Sequence, residues 1–240
     1  MTTPSLEKVF ELQNRVIQKY IQDNPDLYDF VSFCFNSLDG ADLDQSDWLQ
    51  LSVNQRIIFN LFEGDITSTL INATRLCLQG CETDAYSLMR VALEELTVFE
   101  YITIFSKFDE ASAEIIAKVP KQKNFGDEFR YEKVIRKLKK DGREKVYGML
   151  SNLGTHLSPV RVALSRRGDG ERERLKVGMM LGNPNTPIAL GELARIYLFS
   201  IDVFNNFFIK FLQDPTKSPF NATLPIARSK YESLAKKENS

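Results

Sequence analysis

Residues 82–106, ETDAYSLMRVALEELTVFEYITIFS, constrain the fold more than any other stretch of the 240-residue chain. Ala85, Leu88, Met89, Ala92, Leu96 and Phe99 recur at spacings of three and four, which lays them on one face of an α-helix. Val91, Leu93, Val98 and Ile102 carry the apolar surface nearly all the way round. Apart from Glu95 and Glu100, a single stripe stays polar: Ser87, Arg90, Glu94, Thr97 and Tyr101. A helix this apolar is expected to be largely buried. Its polar stripe then faces inward or lines a cleft, where charge must be paired because leaving water is costly. Arg90 and Glu94 therefore read either as an internal ion pair or as part of a cleft site.

Helical periodicity dominates the rest of the chain. Thr3-Pro4 opens a first helix with Leu6, Val9, Phe10, Leu12 and Val16 on one side, and Asn24-Pro25 breaks it before a second. Asp44 or Ser46 is expected to cap a long helical stretch reaching about Gly80, with a candidate interruption at Gly64-Asp65. Residues 127–140 form a basic amphipathic helix with Tyr131, Val134, Ile135 and Leu138 inward, ended by Asp141-Gly142. Residues 146–160 hold no formal charge and predict a helix buried on two sides. Thr186-Pro187 starts a long core helix that Pro215 stops.

Between these last two helices the period switches to two. Val160, Val162 and Leu164 alternate, Asp169-Gly170 offers a two-residue hairpin turn, and Leu175, Val177 and Met179 follow. A turn there pairs Leu164 with Leu175 and sets Arg167 directly across from Arg172. The expected fold class is all-α, mainly a helical bundle, with one β-hairpin near residues 160–179. Residues 1–213 form a single helical domain, and 214–240 a polar tail or short docked helix.

The formal net charge of −1 conceals a division. Residues 118–176 hold 17 Lys/Arg against 8 Asp/Glu, whereas residues 20–55 hold seven Asp and no Lys or Arg. Such polarity bears on partners and orientation. On the hairpin, Arg161, Arg167, Arg172, Arg174 and Lys176 lie opposite the apolar pairs. Like charges directly across a strand pair destabilise it, so an anion is the natural compensation. With Lys133, Lys137 and Lys140 of the basic helix, these residues are the candidate contacts to an RNA or DNA backbone. The plain alternative is a solvated hairpin relieved by nearby acids.

Most catalytic and cofactor signatures are absent: no phosphate loop, no dinucleotide fingerprint, no nucleophile elbow, and no calcium loop within DGADLDQSD. Cys34, Cys77 and Cys81 have no framework spacing and read as inert thiols in a reducing, cytoplasmic setting. No metal and no cofactor is expected. No apolar run approaches a membrane span and no leader is evident at the N-terminus. His156 is the sole histidine, at the end of the uncharged helix and the root of the hairpin. It can exchange protons near neutral pH, with Asn152 one turn earlier to orient its ring. A structural histidine satisfied near a helix end is the alternative.

The stretch 82–102, with Arg90 and Glu94, and the stretch YGMLSNLGTHLSP resemble an uncharacterised family of bacterial helical proteins. That family joins an Arg-x-x-x-Glu helix to a Tyr-x-x-x-Ser-x-x-x-x-His helix. Tyr147, Ser151 and His156 occupy the second pattern. The arrangement is also similar to the HEPN group of toxin and phage-defence proteins, many of them metal-independent RNases using an Arg and a His. The resemblance implies Arg90, Glu94 and His156 as an active-site set, supported by Tyr147, Ser151 and Asn152. The Arg that the HEPN motif places four to six residues before its His is missing here, so Arg90 or Arg161 would have to meet the phosphate. Two other readings stay open: an oligomerising module joining acidic to basic halves, and a small-ligand binder using the Ser87–Tyr101 stripe.

Overall fold

The computed structural model describes residues 6–41, 43–104, 107–118, 129–139, 141–154, 166–169, 172–175 and 186–238. Its described helices are α1 (Leu6–Asp23), α2 (Pro25–Asp39), α3 (Gln45–Trp48), α4 (Val53–Leu78), α5 (Glu82–Ile104), α6 (Phe108–Lys118), α7 (Tyr131–Leu138), α8 (Asp141–Gly154), α9 (Thr186–Phe211) and α10 (Thr223–Glu238). The fold is an all-α bundle.

Helix α5 lies at its centre, packed by α4, α8, α9 and α7. Ala85, Met89, Ala92, Leu93, Leu96, Phe99 and Ile102 are each 0% exposed, as a helix apolar nearly all round requires. Phe99 enters a cluster of rings with Phe59 and Phe62 of α4 and Phe204, Phe207 and Phe208 of α9. Phe59 and Phe208 approach to 4.8 Å between centroids. These rings tie the three longest helices into one core, and α10 docks on α2 and α9 through buried Leu224 and Ala227.

Several boundaries differ from expectation for local reasons. The stretch 44–80 is not one helix: α3 is a single turn, and α4 starts afresh after Ser52. There the Ser52 hydroxyl accepts from the Gln55 amide while the Gln55 side chain accepts from Ser52 N–H, a reciprocal cap. Asp44 precedes α3 without a side-chain capping bond. Helix α4 runs straight through Gly64-Asp65 and stops where Gly80 takes the left-handed conformation, φ 75°, letting Cys81 N–H reach back to the Leu76 carbonyl. Asp141-Gly142 does not end α7. Lys139 does, at φ 52°, and Asp141 opens α8.

The hairpin expectation needs the largest correction. The described ladder is four residues per strand, β1 (Arg166–Asp169) with β2 (Arg172–Leu175). The apolar ribbon expected over 160–179 is not part of the described structure, and the ladder adds no sheet layer to the bundle. Its register sets Asp169 opposite Arg172 and Arg167 opposite Arg174, not Arg167 opposite Arg172.

Candidate functional site

Helices α7 and α8 both lie against the polar stripe of α5. At its N-terminal end, the Ser87 hydroxyl donates to the Gly154 carbonyl at 2.9 Å. The backbones meet so closely that a Cβ on Gly154 would stand 2.7 Å from Ser87 N. A glycine is required there to seat the end of α8.

One turn along, Arg90 Nε stands 3.4 Å from Glu94 Oε1, with the two side chains 26% and 33% exposed. The pair is therefore neither internal nor freely solvated. Tyr147 of α8 covers it: the Arg90 guanidinium carbon is 5.9 Å from the Tyr147 ring centroid, and the Tyr147 hydroxyl donates to Glu94. Burial first, and the Glu94 carboxylate second, push the Tyr147 hydroxyl above its ordinary pKa, against the opposing pull of Arg90 and Ser151. Tyr131 of α7 stacks on Tyr147, centroids 3.9 Å apart and planes 20° from parallel. At the other end of the stripe, Lys137 Nζ donates to the Tyr101 hydroxyl at 2.8 Å and lies 4.9 Å from that ring's centroid. The stripe is thus met by the backbone end of α8 at Ser87, by Tyr147 of α8 at Arg90 and Glu94, and by Lys137 of α7 at Tyr101.

The structure brings Arg90, Glu94, Tyr147 and Ser151 together across α5 and α8, and it leaves Asn152 exposed. His156, Arg161, Lys176 and Lys140 lie outside the described residues. Of the basic-helix candidates, Lys133 and Lys137 are exposed, as are Arg130, Arg136 and Lys139. Arg167, Arg172 and Arg174 stand on the short ladder.

Sequence reasoning missed two features. The deeply buried ion pair is Arg143–Glu100, 5% and 2% exposed, not Arg90–Glu94. The guanidinium of Arg143 also lies over the Phe199 ring, 5.0 Å from its centroid, and its backbone carbonyl accepts from Tyr131 O–H at 3.2 Å. This pair locks the start of α8 to the end of α5. A carboxylate at position 100, amid residues as apolar as Phe99 and Ile102, was the available signal. The second is Glu95, which burial, Asp65 of α4 and Glu94 together raise to a pKa of about 8. Its Oε2 is buried with no hydrogen-bond partner.

Burial raises the thiols of Cys34, to about 12, and of Cys77, which makes both poor nucleophiles. Among the described residues no three His, Cys, Asp or Glu side chains are grouped to hold a metal, and no helix is long and apolar enough to cross a membrane. The fold and this cluster define a helical bundle whose central helix carries a guanidinium and a carboxylate beneath a stacked phenol pair from α7 and α8. Comparison with protein-family models, curated proteins and solved structures finds no match.

Proposed function

We propose that this protein binds RNA along the outer face of α7, with the Arg90–Glu94–Tyr147–Ser151 cluster beside the bound strand. One observation carries the reading. Arg130, Lys133, Arg136, Lys137 and Lys139 are all exposed on or beside a two-turn helix whose Tyr131, Val134, Ile135 and Leu138 are buried. The apolar side fixes the orientation, so Arg130, Lys133, Arg136 and Lys139 are presented on the exposed side beside Lys137, which also holds Tyr101, and a phosphate backbone can release its counterions to them. Glu132 and Glu144 are exposed in the same region and moderate this field. The Tyr131–Tyr147 stack couples the basic helix to α8, and α8 ends two residues before His156.

RNA is favoured over DNA through the HEPN likeness of the two motifs, which also suits a toxin or phage-defence setting. Cleavage is the narrower proposal: His156 would exchange the proton and Arg90 would stabilise the charged phosphate without a metal. Measuring RNA and DNA binding at low and moderate salt tests the binding proposal, with affinity expected to fall steeply as salt rises. Absence of binding even at low salt would remove it. An acidic protein surface, such as exposed Asp23, Asp26 and Asp29 of another copy, would then be the better partner for α7. Incubating RNA in EDTA with wild type and His156→Ala tests cleavage, and equal activity in both excludes His156 from the chemistry.

A further inference from the structure

On the side of the bundle lined by α1, α2, α4 and α9 lies a cavity of about 280 Å³. Tyr28, Val31, Phe35, Ile71 and Leu78 line its walls. Val31 is buried, Tyr28 and Phe35 are half-buried, and Ile71 is 43% exposed, so several apolar faces meet in a concavity open to water. For scale, a cavity of about 150 Å³ lined by such residues takes up benzene. A volume near twice that suits a compact ligand of about ten to twelve non-hydrogen atoms.

Polar groups on the lining set the ligand's chemistry. The Thr74 hydroxyl donates to the Leu70 carbonyl at 2.8 Å, so in its 3.2 Å contact with Tyr197 the phenol is the donor. The protons of both hydroxyls are thereby used within the protein, and neither needs a ligand. Burial also raises the Tyr197 phenol to about 12, so it stays neutral. One lining residue is formally charged: Arg75, exposed, and without an ion-pair partner among the described residues. We infer that the cavity binds a small monocarboxylate with an apolar tail, the tail against Val31, Phe35 and Leu78 and the carboxylate at Arg75. A guanidinium at the rim of a mostly apolar pocket, with the Ser32 hydroxyl also on its lining, selects for an anion at one end, while the lining holds, among the described residues, no second charged group to pair with another. This site stands on α1, α2, α4 and α9 and is independent of the α7 surface.

Octanoate is a suitable probe, with 1-octanol as its uncharged counterpart, followed by calorimetry and thermal melting of the full chain. Wild type should bind octanoate more tightly than octanol and melt at a higher temperature in its presence. Arg75→Gln should weaken octanoate about fivefold, the scale of an exposed ion pair, and leave octanol unchanged. Ile71→Glu, at an exposed position, should weaken octanoate further by setting a like charge beside the tail. Both substitutions are at exposed sites, and the melt without ligand verifies that each variant folds. Failure of wild type to bind octanoate overturns the inference, as does octanoate binding that both folded variants retain unaltered.

Discussion

Replacing Glu95 by Gln should make the protein more stable at high pH and change little at low pH. Glu95 of α5 shares a hydrogen bond with Asp65 of α4 across the bundle's central helix pair, and its carboxyl is raised from 4.5 to about 8. Burial is the main cause, followed by the nearby Asp65 and Glu94 charges. In the folded chain Glu95 thus keeps a proton between about pH 4.5 and 8 that the unfolded chain has released. The unfolded state binds fewer protons in this window, so stability falls as pH rises through it. The full shift would correspond to about 5 kcal/mol at roughly 1.4 kcal/mol per pKa unit. Glu95 is only half-buried and Asp65 is exposed, so water screens the interaction and the effect should be nearer 2–3 kcal/mol. Gln cannot ionise, and its amide can still donate to the Asp65 carboxylate. Urea unfolding of both proteins at pH 5 and pH 9 reads the difference directly. The variant should match wild type within about 0.5 kcal/mol at the lower pH and exceed it by about 2–3 kcal/mol at the higher. Parallel stability profiles from pH 5 to 9 would refute the shared-proton reasoning.

Removing one partner of the buried pair, Arg143→Ala or Glu100→Ala, should cost about 3–5 kcal/mol in urea unfolding because it strands a buried charge. Arg90→Ala should cost about 1 kcal/mol or less, since its pair with Glu94 is partly solvated, and equal losses at Arg90 and Arg143 would contradict the assignment. Gly154→Ala should lower stability by about 1–3 kcal/mol in a thermal melt, because its Cβ meets the Ser87 backbone and α8 must move.

The central helix was legible because its periodicity leaves one polar stripe, and that stripe does face α7 and α8. The start of α9 at Thr186 and the break at Asn24-Pro25, with Pro25 in the first turn of α2, were legible in the sequence. Periodicity could not tell which acid on α5 meets a deep partner. Glu94 has the obvious neighbour four residues away, yet Glu100 has the buried one, 43 residues away on α8. The αL residue between α7 and α8 is Lys139, where no glycine marks it, so Asp141-Gly142 reads as a stop although it starts the next helix. The Ser52–Gln55 cap was visible in the sequence and divides 44–80 more sharply than Asp44 or Ser46 does. Helix α6 had no sequence expectation at all. Of the candidate site, Arg90, Glu94, Tyr147 and Ser151 converge, while His156 lies outside the described residues.

The proposal that α7 is an RNA-binding face is tested most directly by the salt dependence of binding in wild type and in a variant with Arg130, Lys133 and Arg136 replaced by Gln. All three are exposed, so the substitutions spare the packed side of the helix. Each phosphate contact to single-stranded RNA contributes about −0.7 to the slope of log affinity against log salt. Wild type should show a steep negative slope, and the variant should bind more weakly with a slope shallower by about 2. An unchanged slope and affinity in the variant would contradict the account.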